Sequence, residues 1–216
     1  MFKTRSEAGR RLAERLADYC LRDPVVYALP RGGAPVAVPF AQAAGAPLDL
    51  LFVRKIGAPS EPELALGAVV GGEPPTIERN EEIIRAARVP PEEFDRLAAL
   101  EIDEIAHRRR RYALPPALAV RGRTAVVMDD GVATGATARA ALRSLRAEGA
   151  SRVIFAAPVA PAGAIATLKR FADAVVCLLQ PADFQAVGAY YEDFGQVSDE
   201  QVLEAIASCA IEARRR

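Results

Sequence analysis

Two adjacent carboxylates stand directly ahead of a small-residue loop in Val126-Val127-Met128-Asp129-Asp130-Gly131-Val132-Ala133-Thr134-Gly135-Ala136-Thr137. The apolar run reads as a strand, and the loop after it opens a helix that runs to Glu148 and stops at Gly149. A helix start presents unpaired backbone N–H groups and the positive end of the helix dipole, which together suit a phosphate. Gly135 permits close backbone approach, Thr134 and Thr137 add hydroxyl donors, and Ala133 through Ala136 supply the small side chains such a cradle needs. Asp129 and Asp130 repel phosphate themselves. They suit the hydroxyls of a sugar attached to it, or its metal. On a regular strand the two acids face opposite sides, which disfavours a paired-carboxylate glycosidase. A tight strand-to-helix turn capped by Asp is the plainer alternative.

A second candidate is Leu29-Pro30-Arg31-Gly32-Gly33-Ala34-Pro35, a glycine-rich turn between a strand and a helix. Backbone N–H groups beside Gly32 and Gly33 can form an anion nest, with Arg31 as a bidentate partner, or the segment is only a turn. A third is Arg54-Lys55 at the end of a strand-like run. Residues Ala58 to Glu63, rich in Pro and Ser, follow it. Glu61 or Glu63 either reaches a substrate from there or is simply solvated. In the tail, Phe184 either stacks a heterocycle with Val187 beside it or packs in the core, and of Tyr190 and Tyr191 only one is expected to face a pocket.

These candidates need elements to hold them. Apolar runs at Val25–Leu29, Leu48–Val53, Leu64–Val70, Thr124–Met128, Val153–Val159 and Ala174–Leu179 alternate with helical patterns, including one after the capping box Thr4-Arg5-Ser6-Glu7. Strands separated by helices predict an α/β fold with a doubly wound parallel sheet, whose ligands bind at strand carboxyl ends. Both glycine-containing turns fall at such ends. A helical insertion is expected at about 80–112, carrying the stripe Phe94, Ala98, Ile102 and Ile105. The expected division is a core over 1–180 and a small C-terminal hood over 181–216, closed by a helix from about Asp199.

Composition bounds the function. The chain has 216 residues, 51% hydrophobic and 26% charged, which fits a globular protein that buries roughly 70% of its unfolded surface. Lys and Arg number 28 and so do Asp and Glu, a balance that argues against a dedicated nucleic-acid binder. The run Arg108 to Arg111 reads as a solvated helix end or an oligomer contact rather than an RNA patch. His107 is the single histidine, which excludes a multi-His metal site and disfavours a Ser-His-Asp triad. Cys20, Cys177 and Cys209 lack metal or disulfide spacing and are expected to be buried thiols in a reducing compartment. No apolar stretch is long enough to span a bilayer and the start lacks a signal peptide's apolar run, so no membrane association and a cytoplasmic location are expected. There is no Gly-Lys-Ser/Thr of a P-loop and no G-x-G-x-x-G after either strand.

The segment Val126 to Thr137 resembles the binding motif of type I phosphoribosyltransferases: an apolar strand, two acids, then Thr-Gly-x-Thr. The resemblance extends from about Val25 to Leu179 and implies 5-phosphoribosyl 1-diphosphate (PRPP) as substrate, Mg²⁺ as cofactor, a small-molecule acceptor and a homo-oligomer. It implies that Asp129 and Asp130 meet the ribose hydroxyls while Ala133, Thr134, Gly135, Ala136 and Thr137 wrap the 5′-phosphate. The turn at Arg31, Gly32 and Gly33 resembles the family's pyrophosphate loop, which often holds a strained or cis peptide. Arg54 and Lys55 resemble a pair in adenine and orotate members, where a mobile loop that closes over the site follows, which implies a water-excluding lid at Ala58 to Glu63. Phe184 and Val187 fall, one residue out of step, where hypoxanthine-guanine members bind the base.

The implied reaction moves ribose 5-phosphate to a nucleobase-like acceptor with release of pyrophosphate. Arg31 and Lys55 serve the departing group, and Mg²⁺ is held mainly by substrate oxygens and water near Asp129 and Asp130. Ala133 departs from the Asp that hypoxanthine-guanine members usually carry there, so the acceptor is left open. A regulatory protein that binds PRPP or a nucleotide without transfer is the alternative reading.

Overall fold

The structure is a computed structural model describing residues 1–213, with side chains described through residue 209. The chain forms two compact units, one of residues 1–50 with 119 onward, the other of residues 51–118.

The first unit is built on five parallel strands: β1 (Pro24–Ala28), β2 (Leu48–Leu50), β6 (Thr124–Met128), β7 (Arg152–Val159) and β8 (Ala174–Leu179). Their order is β2-β1-β6-β7-β8, and every neighbouring pair is parallel. The unit is therefore the α/β parallel sheet that the alternating pattern predicts. Its central strands are buried along nearly their whole length, from Val25 to Ala28 and from Ala125 to Met128, because helices cover both faces.

The helices of this unit are α1 (Arg5–Leu16), α2 (Gly33–Ala44), α5 (Ala136–Ala147), α6 (Ala162–Leu168) and α7 (Asp199–Ala213). The first begins at the capping box: Thr4 Oγ1 accepts from the Glu7 N–H at 3.2 Å, and Glu7 Oε2 accepts from the Lys3 N–H at 3.0 Å. It buries Ala8, Leu12 and Leu16 on one stripe and packs on α2, which also carries α7. Right-handed crossovers put α2 on one face and α5 and α6 on the other. From β1 the chain winds outward to β2, and from β6 it winds the opposite way through β7 to β8. The adjoining carboxyl ends of β1 and β6 are thus the sheet's switch point.

The second unit holds β3 (Val53–Ala58), β4 (Glu61–Val70), β5 (Thr76–Arg79), α3 (Glu81–Ala86) and α4 (Pro91–Arg111). Its three strands are antiparallel, and α4 packs against β3 and β4. Phe94, Ala98 and Ile105 of the expected stripe are buried, while Ile102 is half-buried. The observed insertion is larger than helices at about 80–112, since it carries a sheet of its own. The apolar run Leu48–Val53 is two strands rather than one: β2 ends at Leu50, and after Leu51 and Phe52 the chain begins β3. Leu64–Val70 belongs to this antiparallel sheet and not to the parallel one. Its apolar alternation is the same in either sheet, so pattern alone does not choose the partner.

The tail joins the first unit. Phe2 and Tyr191 form an isolated parallel bridge, with the Phe2 N–H donating to Tyr190 O and the Glu192 N–H to Phe2 O, both at 2.8 Å. Phe2, Ala8 and Tyr191 make a small apolar cluster flanked by Val187 and Phe194. The expectation of buried thiols holds for Cys209 only: Cys177 is half-buried and Cys20 is exposed, the latter at a left-handed turn that ends the segment after α1. No helix among the described residues is long and apolar enough to cross a membrane.

Candidate functional site

The site candidates of the first unit meet at the switch point. Ala28 and Met128 are register partners, and the Leu29 N–H donates to Met128 O at 2.9 Å, so the turns after β1 and β6 start side by side. The Pro30–Arg31 peptide is cis. Gly33 lies so close to the end of β6 that a Cβ there would stand 2.6 Å from Met128 O, and a Cβ on Gly32 would collide with the Asp130 carboxylate. Only glycines let the two turns approach this closely.

The nest at this turn differs in detail from the expected one. The Gly33 N–H is spent on Leu29 O at 2.9 Å and the Ala34 N–H on Arg31 O at 3.2 Å, which leaves the N–H groups of Arg31 and Gly32 as the turn's donors. Arg31 itself is exposed and lies 3.6 Å from Asp199 at the start of α7.

Asp129 and Asp130 stand past the end of β6, so the strand alternation that would separate them no longer applies. Asp129 Oδ1 accepts from the Asp130 N–H at 2.9 Å, a local turn bond. Burial, reinforced by the neighbouring charge of Asp130, holds the Asp129 carboxyl well above the usual carboxylate range. Asp130 is bound from two remote parts of the chain. Arg5 Nε donates to Asp130 Oδ2 at 2.8 Å, and the Tyr191 hydroxyl donates to Asp130 O at 2.6 Å. Burial, with Asp130 nearby, pushes the Tyr191 phenol far up, so it remains a donor.

The loop after the acids runs to Gly135, whose φ of +77° is the left-handed conformation that glycine adopts without strain. Thr134 Oγ1 accepts weakly from the Ala136 N–H at 3.4 Å. Arg139 N–H begins the intrahelical ladder on Gly135 O at 2.8 Å, so the N–H groups of Thr137 and Ala138 sit in the open first turn of α5. Ala133, Thr134, Ala136 and Thr137 are exposed, as a cradle for a ligand from solvent requires.

In the tail, Val187 packs over the acid turn, where a Cβ on Gly131 would collide with it. Phe184 is half-buried and stacks on Tyr190 with ring centroids 5.8 Å apart. Tyr191 is buried in the apolar cluster with Phe2, and Tyr190 is half-buried against Phe184.

Arg54 and Lys55 belong to the second unit, on β3. Arg54 Nε lies 2.7 Å from Glu101 Oε2, and Lys55 Nζ lies 3.0 Å from Glu63 Oε2. Ala58 to Glu63, expected as a lid, forms the tip of the β3–β4 hairpin with Ala58 opposite Glu61. Arg108 of the basic run pairs with Glu104 at 2.8 Å, and Arg109 donates to Pro115 O at 2.7 Å. Among the described residues no three His, Cys, Asp or Glu side chains gather into a metal cage.

Sequence reasoning missed Arg5, Tyr191 and Asp199 as site neighbours. Arg5 reads as part of a capping box and Asp199 as a helix start, both of which they also are. Nothing in local spacing signals that Arg5 and Tyr191 meet Asp130 across 125 and 61 residues.

Fold and site together define a doubly wound α/β protein with a two-glycine turn and an acid turn side by side at its switch point. A phosphoribosyl transferase domain model matches residues 4–193, and the chain belongs to that family. Two Mycobacterium tuberculosis proteins, each named provisionally as a phosphoribosyl transferase, are 43% identical to it over 204 residues. The match covers 94% of this chain and 46% of theirs, so the chain spans about half the length of these relatives. The solved structure of TT1426 from Thermus thermophilus is 44% identical and covers 96% of this chain and 98% of its own, with a TM-score of 0.84.

Proposed function

We propose that the switch-point crevice binds PRPP and transfers its ribose 5-phosphate to a small nucleobase-like acceptor, releasing pyrophosphate. The observation that carries this is the meeting of the acid turn and α5 start with the two-glycine turn, in a chain of this family. One phosphate site at each end with carboxylates between them matches a sugar that is phosphorylated at both ends.

On this reading Thr134 to Thr137 receive the 5′-phosphate through the first-turn N–H groups of α5 and two hydroxyls. Asp129 and Asp130 accept from the ribose hydroxyls. The Arg31 and Gly32 N–H groups and the Arg31 guanidinium take the diphosphate. By the family resemblance Arg54 and Lys55 serve the same group. The bond from C1′ to the diphosphate oxygen breaks as an acceptor nitrogen attacks C1′, through an oxocarbenium-like state. The protein's part is to stabilise charge on the departing oxygens, an effect commonly worth several kcal/mol. Val187 over the acid turn and Phe184 beside Tyr190 are the acceptor's wall.

Mg²⁺ fits this donor set: it favours one or two carboxylates plus phosphate oxygens and retained water over an all-protein cage, and Asp129 and Asp130 are the carboxylates offered. When bound it would neutralise charge developing on the diphosphate.

Calorimetric titration of PRPP, with and without Mg²⁺, against wild type and Asp129→Asn/Asp130→Asn tests the proposal. Magnesium-dependent binding that the double variant loses supports it and opens a pyrophosphate-release screen across acceptors. Absence of binding to folded wild type defeats it.

A second reading, PRPP or nucleotide binding without transfer, is favoured by the pairing of Lys55 with Glu63 and Arg54 with Glu101, which offsets the charges meant for the leaving group. Lys55→Ala separates the two. For an enzyme it abolishes turnover while PRPP binding is partly kept; for a sensor there is no turnover to lose.

A further inference from the structure

Resting on the PRPP reading above, we propose that Arg5 is a charge-compensating positioning residue: it neutralises Asp130 beside the two-glycine turn so that this turn can receive a diphosphate.

The geometry is specific. Asp130 is wedged against Gly32, one of the two residues whose N–H groups the turn offers to an anion. An unpaired carboxylate there would repel the ligand at van der Waals range. Arg5 removes that charge through the 2.8 Å contact of its Nε with Asp130 Oδ2, and both side chains are nearly out of solvent, at 12% and 15% exposure. Water therefore screens the pair little, and the compensation is strong.

Arg5 is itself held in place. A terminal guanidinium nitrogen donates to Gly195 O at 2.9 Å, and its guanidinium carbon stands 3.9 Å from the centre of the Phe194 ring. The backbone of Phe2 and Lys3 hydrogen-bonds along residues 190 to 193, so the start of the chain and the tail clamp Arg5 from both sides. The other charges near these turns do not substitute for it. Asp129 is itself an acid and carries no positive charge to offer, and Arg31 is turned toward Asp199.

The test is titration of inorganic pyrophosphate and of PRPP into wild type, Arg5→Gln, Arg5→Lys, Asp130→Asn and the double variant Arg5→Gln/Asp130→Asn, with melting temperatures recorded for each. Arg5→Gln is expected to weaken pyrophosphate binding by about tenfold or more, from one uncompensated charge at short range. Arg5→Lys, which keeps the charge, recovers most of that loss. With Mg²⁺ chelated, so that the part of Asp130 in holding the metal does not enter, Asp130→Asn binds pyrophosphate at least as tightly as wild type, and the double variant returns close to wild type, because without the carboxylate nothing needs compensating.

A purely structural Arg5 predicts the reverse for the double variant, which would be as weak as Arg5→Gln or weaker. That result, an unchanged Arg5→Gln, or a weakened Asp130→Asn overturns the proposal. Should Arg5→Gln fail to fold, Asp130→Asn and Arg5→Lys still decide. A wild type that binds pyrophosphate but not PRPP defeats the PRPP reading and leaves the pyrophosphate series to judge Arg5; one that binds neither defeats both.

Discussion

Ala28 and Met128, the last residues of β1 and β6, are directly opposed in a parallel ladder, 100 residues apart in the chain. Everything at the site follows from that pairing. It puts a turn with two glycines and one arginine beside a turn with two aspartates. Both strands are buried where they end, so the two turns hang from the core of the sheet.

Gly33→Ala should damage both stability and ligand binding. The added Cβ meets the backbone at Met128 O and Asp129 Cα, 2.6 and 3.2 Å away, and backbone cannot rotate aside. Forcing the strand ends apart costs about 1–3 kcal/mol. Urea denaturation should show the loss, and PRPP titration should show weakened binding; a variant equal to wild type in both would mean the turns are not held this tightly.

Gly135→Ala acts differently. The new methyl would find ordinary contacts at 3.5 Å from Leu168 and Val132, so space is not the obstacle. The φ of +77° is, at a cost of about 1–2 kcal/mol for a residue with a side chain. The expected result is a modest drop in melting temperature with a larger loss of affinity for ribose 5-phosphate, read by calorimetry, since relief of the strain would reorient the first turn of α5.

Tyr191→Phe removes the hydroxyl from Asp130 O and changes little else in shape. Losing the donor to that part-buried carbonyl should cost about 0.5–1.5 kcal/mol, measured by chemical denaturation. Proteolysis of the tail under native conditions should quicken, because this bond and the Phe2 bridge tie the tail to the rest of the first unit.

Asp173 offers a pH test away from the site. Burial acts to raise its carboxyl, but the Val153 N–H at 2.7 Å and Arg146 at 2.6 Å outweigh it and hold the group below its usual range. A carboxyl lowered by folding adds stability above its unfolded pKa, and that stability is lost as pH falls through the folded value. Wild type should therefore lose more stability than Asp173→Asn on acidification below about pH 4. Parallel slopes for the two proteins in denaturation at stepped pH would contradict this.

The site's local chemistry is legible because it is written in consecutive residues. Strand, acids, hydroxyl loop and helix from Val126 to Thr137 need only the chain's own geometry, and the turn from Leu29 to Ala34 likewise. The capping box at Thr4, the parallel strands and the start of α7 at Asp199 follow from periodicity and end signals that act within a few residues.

Partners distant in sequence are not legible in this way. A period-2 apolar run says that a face is buried, not against what. Leu48–Val53 therefore reads as one strand although the chain changes sheets within it, and Leu64–Val70 reads as a strand of the wrong sheet. Arg5 is an ordinary first-turn residue until the fold sets it against Asp130. By itself, the sequence determined the two-glycine turn, the acid turn and the helix and strand that present each, since backbone conformation there depends on neighbours a few bonds away. Only the tertiary structure decided which turn faces which, that Arg5 pairs with Asp130, and that the tail clamps the first helix. Those are choices among long-range contacts of similar local appearance, and burial energy summed over the whole fold selects between them.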